Sequence, residues 1–171
     1  MFHYFAYGSV ISLRHAKEWC ESHALDVAPF PKGQPARLDG YRIVFDVPSR
    51  FWSGLVADLV ADSAAHVEGV LFTLDDSARE AVLRKEGVAT GLYREIRVDV
   101  AIGAATEKAT AYLAVEERRV PAGPASSRYV EALIEGARER GLSPEWLQAL
   151  QRVPRDEIKP PPPGVSLGFK R

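Results

Sequence analysis

The chain has 171 residues, the size of one domain that can bury a core without help from disulfides or a structural metal. With 46% hydrophobic and 26% charged residues, and 22 Lys plus Arg against 23 Asp plus Glu, it reads as globular and offers no basic cluster for nucleic acid. The lone Cys20 excludes an internal disulfide and a cysteine zinc site. The opening MFHYFAYGS has neither the basic region nor the apolar run of a signal peptide, and no stretch of about 18 apolar residues would span a membrane. A cytoplasmic setting, without membrane partners, is the expectation.

Residues Phe2 to Tyr7 are mostly aromatic and predict a buried strand, broken into a turn by Gly8 and Ser9. Apolar positions Ile11, Leu13, Ala16 and Trp19/Cys20 recur at helical spacing, so a helix to about His23 is expected, capped by Ser9 or Ser12. Pro29, Pro31, Gly33 and Pro35 mark a connection before a strand over 41–47. Phe51 and Trp52 fall in a loop over 49–54. Two apolar strands, 55–61 and 67–74, are then separated by a polar link over 62–66 that suits a hairpin turn. Ser77 and Glu80 have the spacing of a capping box for a helix over 77–86, and Gly87 stands where a left-handed residue ends it. Alternation predicts a strand over 92–102, paired with one over 109–115. A link over 121–127 precedes a helix over 128–140 stopped by Gly141, and Ser143-Pro144 opens another to about Val153. The Pro160–Pro163 run is expected as an extended polyproline tail. The fold class implied is α+β, a bent or barrel-like mixed sheet with flanking helices, as one domain over 1–155 and a tail over 156–171.

His3, His15, His23 and His66 form no HxxxH or HExxH pair, and Ser9 is not in a GxSxG elbow, so neither metal hydrolysis nor a serine triad is indicated. Cys20, beside Trp19 in a helix, reads as an inert buried thiol. Two places break local rules. The strand opening into Gly8-Ser9 exposes successive backbone amides able to hold a carboxylate or a developing oxyanion, although such a turn is also a common way to leave a strand. Glu86 puts a carboxylate at a helix C-terminus, whose partial negative charge disfavours the anion, as suits a general base; a solvated surface glutamate is the plainer alternative.

Taken together, FAYGS at Phe5–Ser9, EGVATGLY at Glu86–Tyr93 with the following REIRVDV, and SSRY at Ser126–Tyr129 resemble the gamma-glutamyl cyclotransferase (AIG2-like) family in identity and order. The likeness runs from about Tyr4 to Val153 and takes in GLSPEWLQAL. It implies a cofactor-free, 5-oxoproline-forming enzyme, homodimeric, acting on a small gamma-glutamyl substrate with Glu86 as acid/base. It further implies that Tyr4, Phe5, Ala6, Tyr7, Gly8 and Ser9 form the loop around the glutamyl end, with Tyr129 and Tyr93 lining the same pocket. Free gamma-glutamyl amino acids, glutathione, gamma-glutamylamines and a protected metabolite all share the half such residues would read, with amino-acid conjugates the nearest match. Val10 departs from the family's YGSN or YGSL, and a side chain that cannot cap the next helix leaves a non-catalytic domain with a retained pocket as the alternative.

Overall fold

The computed structural model describes residues 1–24, 30 and 33–157. The polyproline tail and two of the connecting prolines, Pro29 and Pro31, lie outside them.

Five strands close into one mixed barrel in the order β1-β3-β2-β4-β5. The first, β1 (Phe2–Ala6), is seamed to the last, β5 (Ala105–Ala114), by a parallel pairing of Tyr4 with Thr110. Every other pairing is antiparallel, including β1 with β3 (Gly54–Leu74), β3 with β2 (Gln34–Ser49), and β4 (Tyr93–Ile102) with β5. Barrel closure pairs the first strand with the last instead of leaving both as open edges.

The hairpin expected over 62–66 does not exist. β3 runs unbroken for 21 residues, and β2 begins at Gln34 and includes Pro35, earlier than expected. Asp39 pairs with His66 and Tyr41 with Ala61, so four residues of β3 (62–65) face one of β2, Gly40, whose φ of 80° is left-handed. The polar stretch is thus an enlarged bulge, and a second register shift lies between Phe45 and Val47. Bulges of this kind bend long strands, which a small five-stranded barrel requires.

Among the described residues four helices flank the barrel: α1 (Leu13–Ser22), α2 (Asp76–Lys85), α3 (Ser127–Glu139) and α4 (Pro144–Gln151). Ser12, Ser126 and Ser143 cap α1, α3 and α4 by accepting the N–H of the third residue on. The expected capping box on α2 is corrected: Asp75 is the cap, accepting from the Ala78 N–H and the Ser77 hydroxyl at 2.8 Å each. A carboxylate two residues earlier outcompetes the serine because it also meets the positive end of the helix dipole. Cys20 is buried in α1.

The amphipathic helix α3 buries Tyr129, Val130, Leu133 and Ala137 and grips the segment after β1. The Glu135 carboxylate takes an ion pair from Arg14 at 2.7 Å, Glu139 accepts the Leu13 N–H at 2.8 Å, and Arg140 donates to the Ile11 carbonyl at 3.0 Å. These contacts hold the 3-10 turn Ser9–Ile11 against the barrel mouth. Beyond α4 the chain returns to α3, where Asp156 accepts the Ser127 N–H at 3.1 Å.

Candidate active site

A cavity of about 170 Å3 opens where the end of β1, the end of α2 and the start of α3 converge. That is below the roughly 300–1,000 Å3 of drug-sized sites and suits a small fragment. Among its lining residues are Tyr4, Tyr7, Gly8, Ser9, Glu86, Tyr93 and Tyr129, seven of the nine singled out in the sequence. Phe5 and Ala6 are buried but do not line it. Phe5 faces the other side of β1 from Tyr4, as strand alternation demands, and packs over Gly69.

Glu86 reaches the cavity because of the backbone path beyond α2. It is the C-cap of that helix, and its N–H still closes the last turn onto Val82. Gly87 and Gly91 then adopt φ of 59° and 63°, a left-handed backbone that strains any side-chain-bearing residue. Across this turn the N–H groups of Thr90 and Leu92 both converge on the Gly87 carbonyl at 3.1 Å. Two tight reversals therefore deliver Glu86 and, seven residues on, Tyr93 to one cavity, which is the physical content of EGVATGLY.

The Glu86 carboxylate is half-buried, and its Oε1 accepts a 2.8 Å hydrogen bond from the Tyr4 hydroxyl. Five tyrosines surround it. Tyr7 donates to the Tyr112 carbonyl and Tyr93 to the Ala57 carbonyl at 3.4 Å. The Tyr129 hydroxyl lies within hydrogen-bonding reach of the Ser9 and Ala57 backbone, so close to Gly8 that a Cβ there would stand 3.0 Å from it. Burial first, then neighbouring phenols and carboxylates, hold all five phenols above their ordinary pKa; Glu86 contributes to each. They stay protonated donors across the neutral range.

Sequence reading missed Tyr112. It is 1% exposed and lines the cavity with its ring 5.7 Å from that of Tyr4, and its hydroxyl lacks a hydrogen-bond partner. A buried phenol without a partner is costly. It sits inside an apolar strand, where nothing local distinguishes it from a core aromatic. Trp52 lies, as expected, in the loop between β2 and β3, and it also forms a wall of the cavity, 5.3 Å from the Tyr129 ring. The Ser126 hydroxyl ties the two together, donating to the Trp52 carbonyl at 2.6 Å while capping the turn that carries Tyr129.

Val10 is 1% exposed, lines the cavity and belongs to the turn that precedes Ser12, the residue that caps α1. Position 10 thus has no capping duty for its side chain to fail.

Residues 66–150 match the model of the AIG2-like family. The gamma-glutamylcyclotransferase of Bos taurus is 27% identical over 129 residues, covering 72% of this chain and 67% of the bovine protein. The putative gamma-glutamylcyclotransferase YkqA of Bacillus subtilis is 32% identical over 151 residues, or 88% of this chain. The chain belongs to the gamma-glutamyl cyclotransferase family. It spans about half (51%) of YkqA, whose crystal structure superposes with a TM-score of 0.75 at 28% identity over 91% of this chain and 56% of that one. A solved gamma-glutamyl cyclotransferase at 24% identity shares the fold, with a TM-score of 0.79 over 93% of this chain and 91% of its own. The family's barrel is thus the barrel described above, and EGVATGLY falls within the matched segment.

Proposed function

We propose that this chain is a gamma-glutamyl cyclotransferase that closes the glutamyl half of its substrate into 5-oxoproline and frees the attached amine. The observation that carries this reading is the Tyr4–Glu86 hydrogen bond in a tyrosine-walled cavity beside the Gly8-Ser9 backbone. A gamma-glutamyl amide contains its own nucleophile, the alpha-amine, placed to form a five-membered ring on the gamma-carbonyl. The enzyme must therefore move protons, hold the folded conformer and stabilise an oxyanion.

In this mechanism Glu86 takes a proton from the alpha-ammonium, and the freed nitrogen attacks the gamma-carbonyl carbon. The amide C–N bond then breaks as the lactam C–N bond completes. Two protons leave the attacking nitrogen in turn and pass by way of Glu86 to the departing nitrogen, which leaves as an ammonium. Tyr4 aims the carboxylate. Backbone N–H groups at Gly8, Ser9 and Val10, whose first-turn positions lack intrahelical partners, bind the oxyanion or the alpha-carboxylate. The Tyr112 hydroxyl supplies a further donor, and Tyr93, Tyr129 and Trp52 wall off water.

Incubating the pure protein with a panel of gamma-glutamyl compounds and reading products by mass spectrometry tests this. The expected result is 5-oxoproline plus the free amine, abolished in Glu86→Gln while substrate still raises that variant's melting temperature. Binding without product from the unaltered protein would instead indicate a ligand-binding domain that keeps the pocket. Near-normal turnover by Glu86→Gln would remove Glu86 from the chemistry.

A further inference from the structure

The cavity's charge inventory is short. Among the described residues that line it only Lys85 and Glu86 carry formal charge. Lys85 occupies the last turn of α2, where a cation complements the helix dipole, yet no described carboxylate lies within ion-pair distance of its ammonium. Successive helical positions diverge by about 100° around the axis, so the Lys85 and Glu86 side chains leave the chain in different directions. Glu86 meets Tyr4. Lys85 lies toward α1, where its charge is felt by His15 and Cys20, and the His15 ring is 4.9 Å from that of Trp52.

A gamma-glutamyl amino acid carries two carboxylates and one ammonium. One carboxylate shares a carbon atom with the attacking amine and must stay beside Glu86 and the Gly8-Ser9 turn. The other is carried by the leaving amino acid, several bonds beyond the scissile amide. We propose that Lys85 is a specificity-determining residue that binds the carboxylate of the leaving amino acid, selecting gamma-glutamyl amino acids over uncharged gamma-glutamylamines. This rests on the cyclotransferase reading. The reason is that the two charges are differently engaged: Glu86 is held by Tyr4, whereas the Lys85 cation lines the cavity with Trp52, takes no part in the Tyr4–Glu86 pair and matches an anion at the far end of the substrate.

The test uses two substrates that differ only by that carboxylate, gamma-glutamyl-alanine and gamma-glutamyl-ethylamide. The unaltered protein is expected to favour the alanine conjugate in kcat/KM by about 10- to 100-fold, the worth of one charge-assisted hydrogen bond. Lys85→Met should bring that ratio close to one, Lys85→Arg should restore it, and Lys85→Glu should invert it. A ratio near one in the unaltered protein, or a ratio that survives Lys85→Met because both substrates lose equally, would overturn the assignment and leave the cyclotransferase reading standing. Release of 5-oxoproline from neither substrate by the unaltered protein would overturn both. Thermal unfolding of each variant separates loss of fold from loss of selectivity.

Discussion

Gly136 lies on the face of α3 that presses against the turn leading from β1 to α1, and replacing it by Ala brings two effects of opposite sign into one measurement. An added Cβ would stand 2.5 Å from the Ser12 nitrogen, 2.6 Å from Ile11 Cγ1 and 2.7 Å from the Ile11 carbonyl carbon. Ordinary contact begins near 3.4 Å, so α3 and the turn must part by 3.4 − 2.5 = 0.9 Å at the tightest point. Two of the three atoms are backbone, which no rotamer change can move. Helix propensity alone would make Gly136→Ala stabilising by about 1 kcal/mol. Overpacking costs about 1–3 kcal/mol, and the shift also stretches the hydrogen bonds that Leu13 and Ile11 make to Glu139 and Arg140. Steric cost should win by about 2 kcal/mol, lowering the melting temperature by about 4–8 °C for a chain of this length. Urea unfolding should show a lower midpoint at unchanged slope. Because the displaced turn carries Ser9 and Val10, the proposed release of 5-oxoproline should fall as well. An unchanged or higher melting temperature would refute the claim that α3 fixes this turn by direct backbone contact.

Tyr4→Phe removes the hydroxyl that aims Glu86 and keeps the ring; kcat/KM for 5-oxoproline release should drop about 10- to 100-fold, the equivalent of a hydrogen bond to a charged group, and a rate within twofold of the original would deny Tyr4 that part. Arg119 lies 2.8 Å from Asp58, a carboxylate with no solvent exposure. Arg119→Leu should cost about 3–5 kcal/mol by chemical denaturation, and adding Asp58→Asn should recover part of the loss, because the single change strands a buried charge. His15 is held near 4, chiefly by burial and next by the Arg14 charge, while the Glu135 carboxylate opposes this. Since its pKa is lower in the folded chain than the ordinary 6.5, its contribution is present above 6.5 and lost as pH falls toward 4. The linkage is at most about 3 kcal/mol, and His15→Gln should flatten the fall in unfolding free energy over that window.

Much of the fold could be read along the chain because its signals are local. Ser12 and Ser143 stand one residue before an amphipathic run, and Gly87 and Gly141 take left-handed φ of 59° and 70° where the helices before them end. Such signals act within one helical turn, so no tertiary information is needed to see them. The capping box on α2 failed for a reason just as local: Ser77 and Asp75 both suit a cap, and the charged one wins.

Continuity of β3 was illegible, because polar residues 62–65 look like a turn unless the partner strand is known to run alongside and absorb them in a bulge at Gly40. The same limit governs the candidate site. Glu86, the two glycines after it and Tyr93 belong to one reversal whose order in sequence is its order in space. Tyr4 and Glu86 are 82 residues apart, and only barrel closure brings one hydroxyl to the other's carboxylate at 2.8 Å. Tyr112 and Lys85 had no mark of their own, since a tyrosine in a strand and a lysine in a last helical turn are ordinary in those places. What sets them apart is the shared cavity, and a cavity is a property of elements that meet across the barrel rather than of any segment of chain.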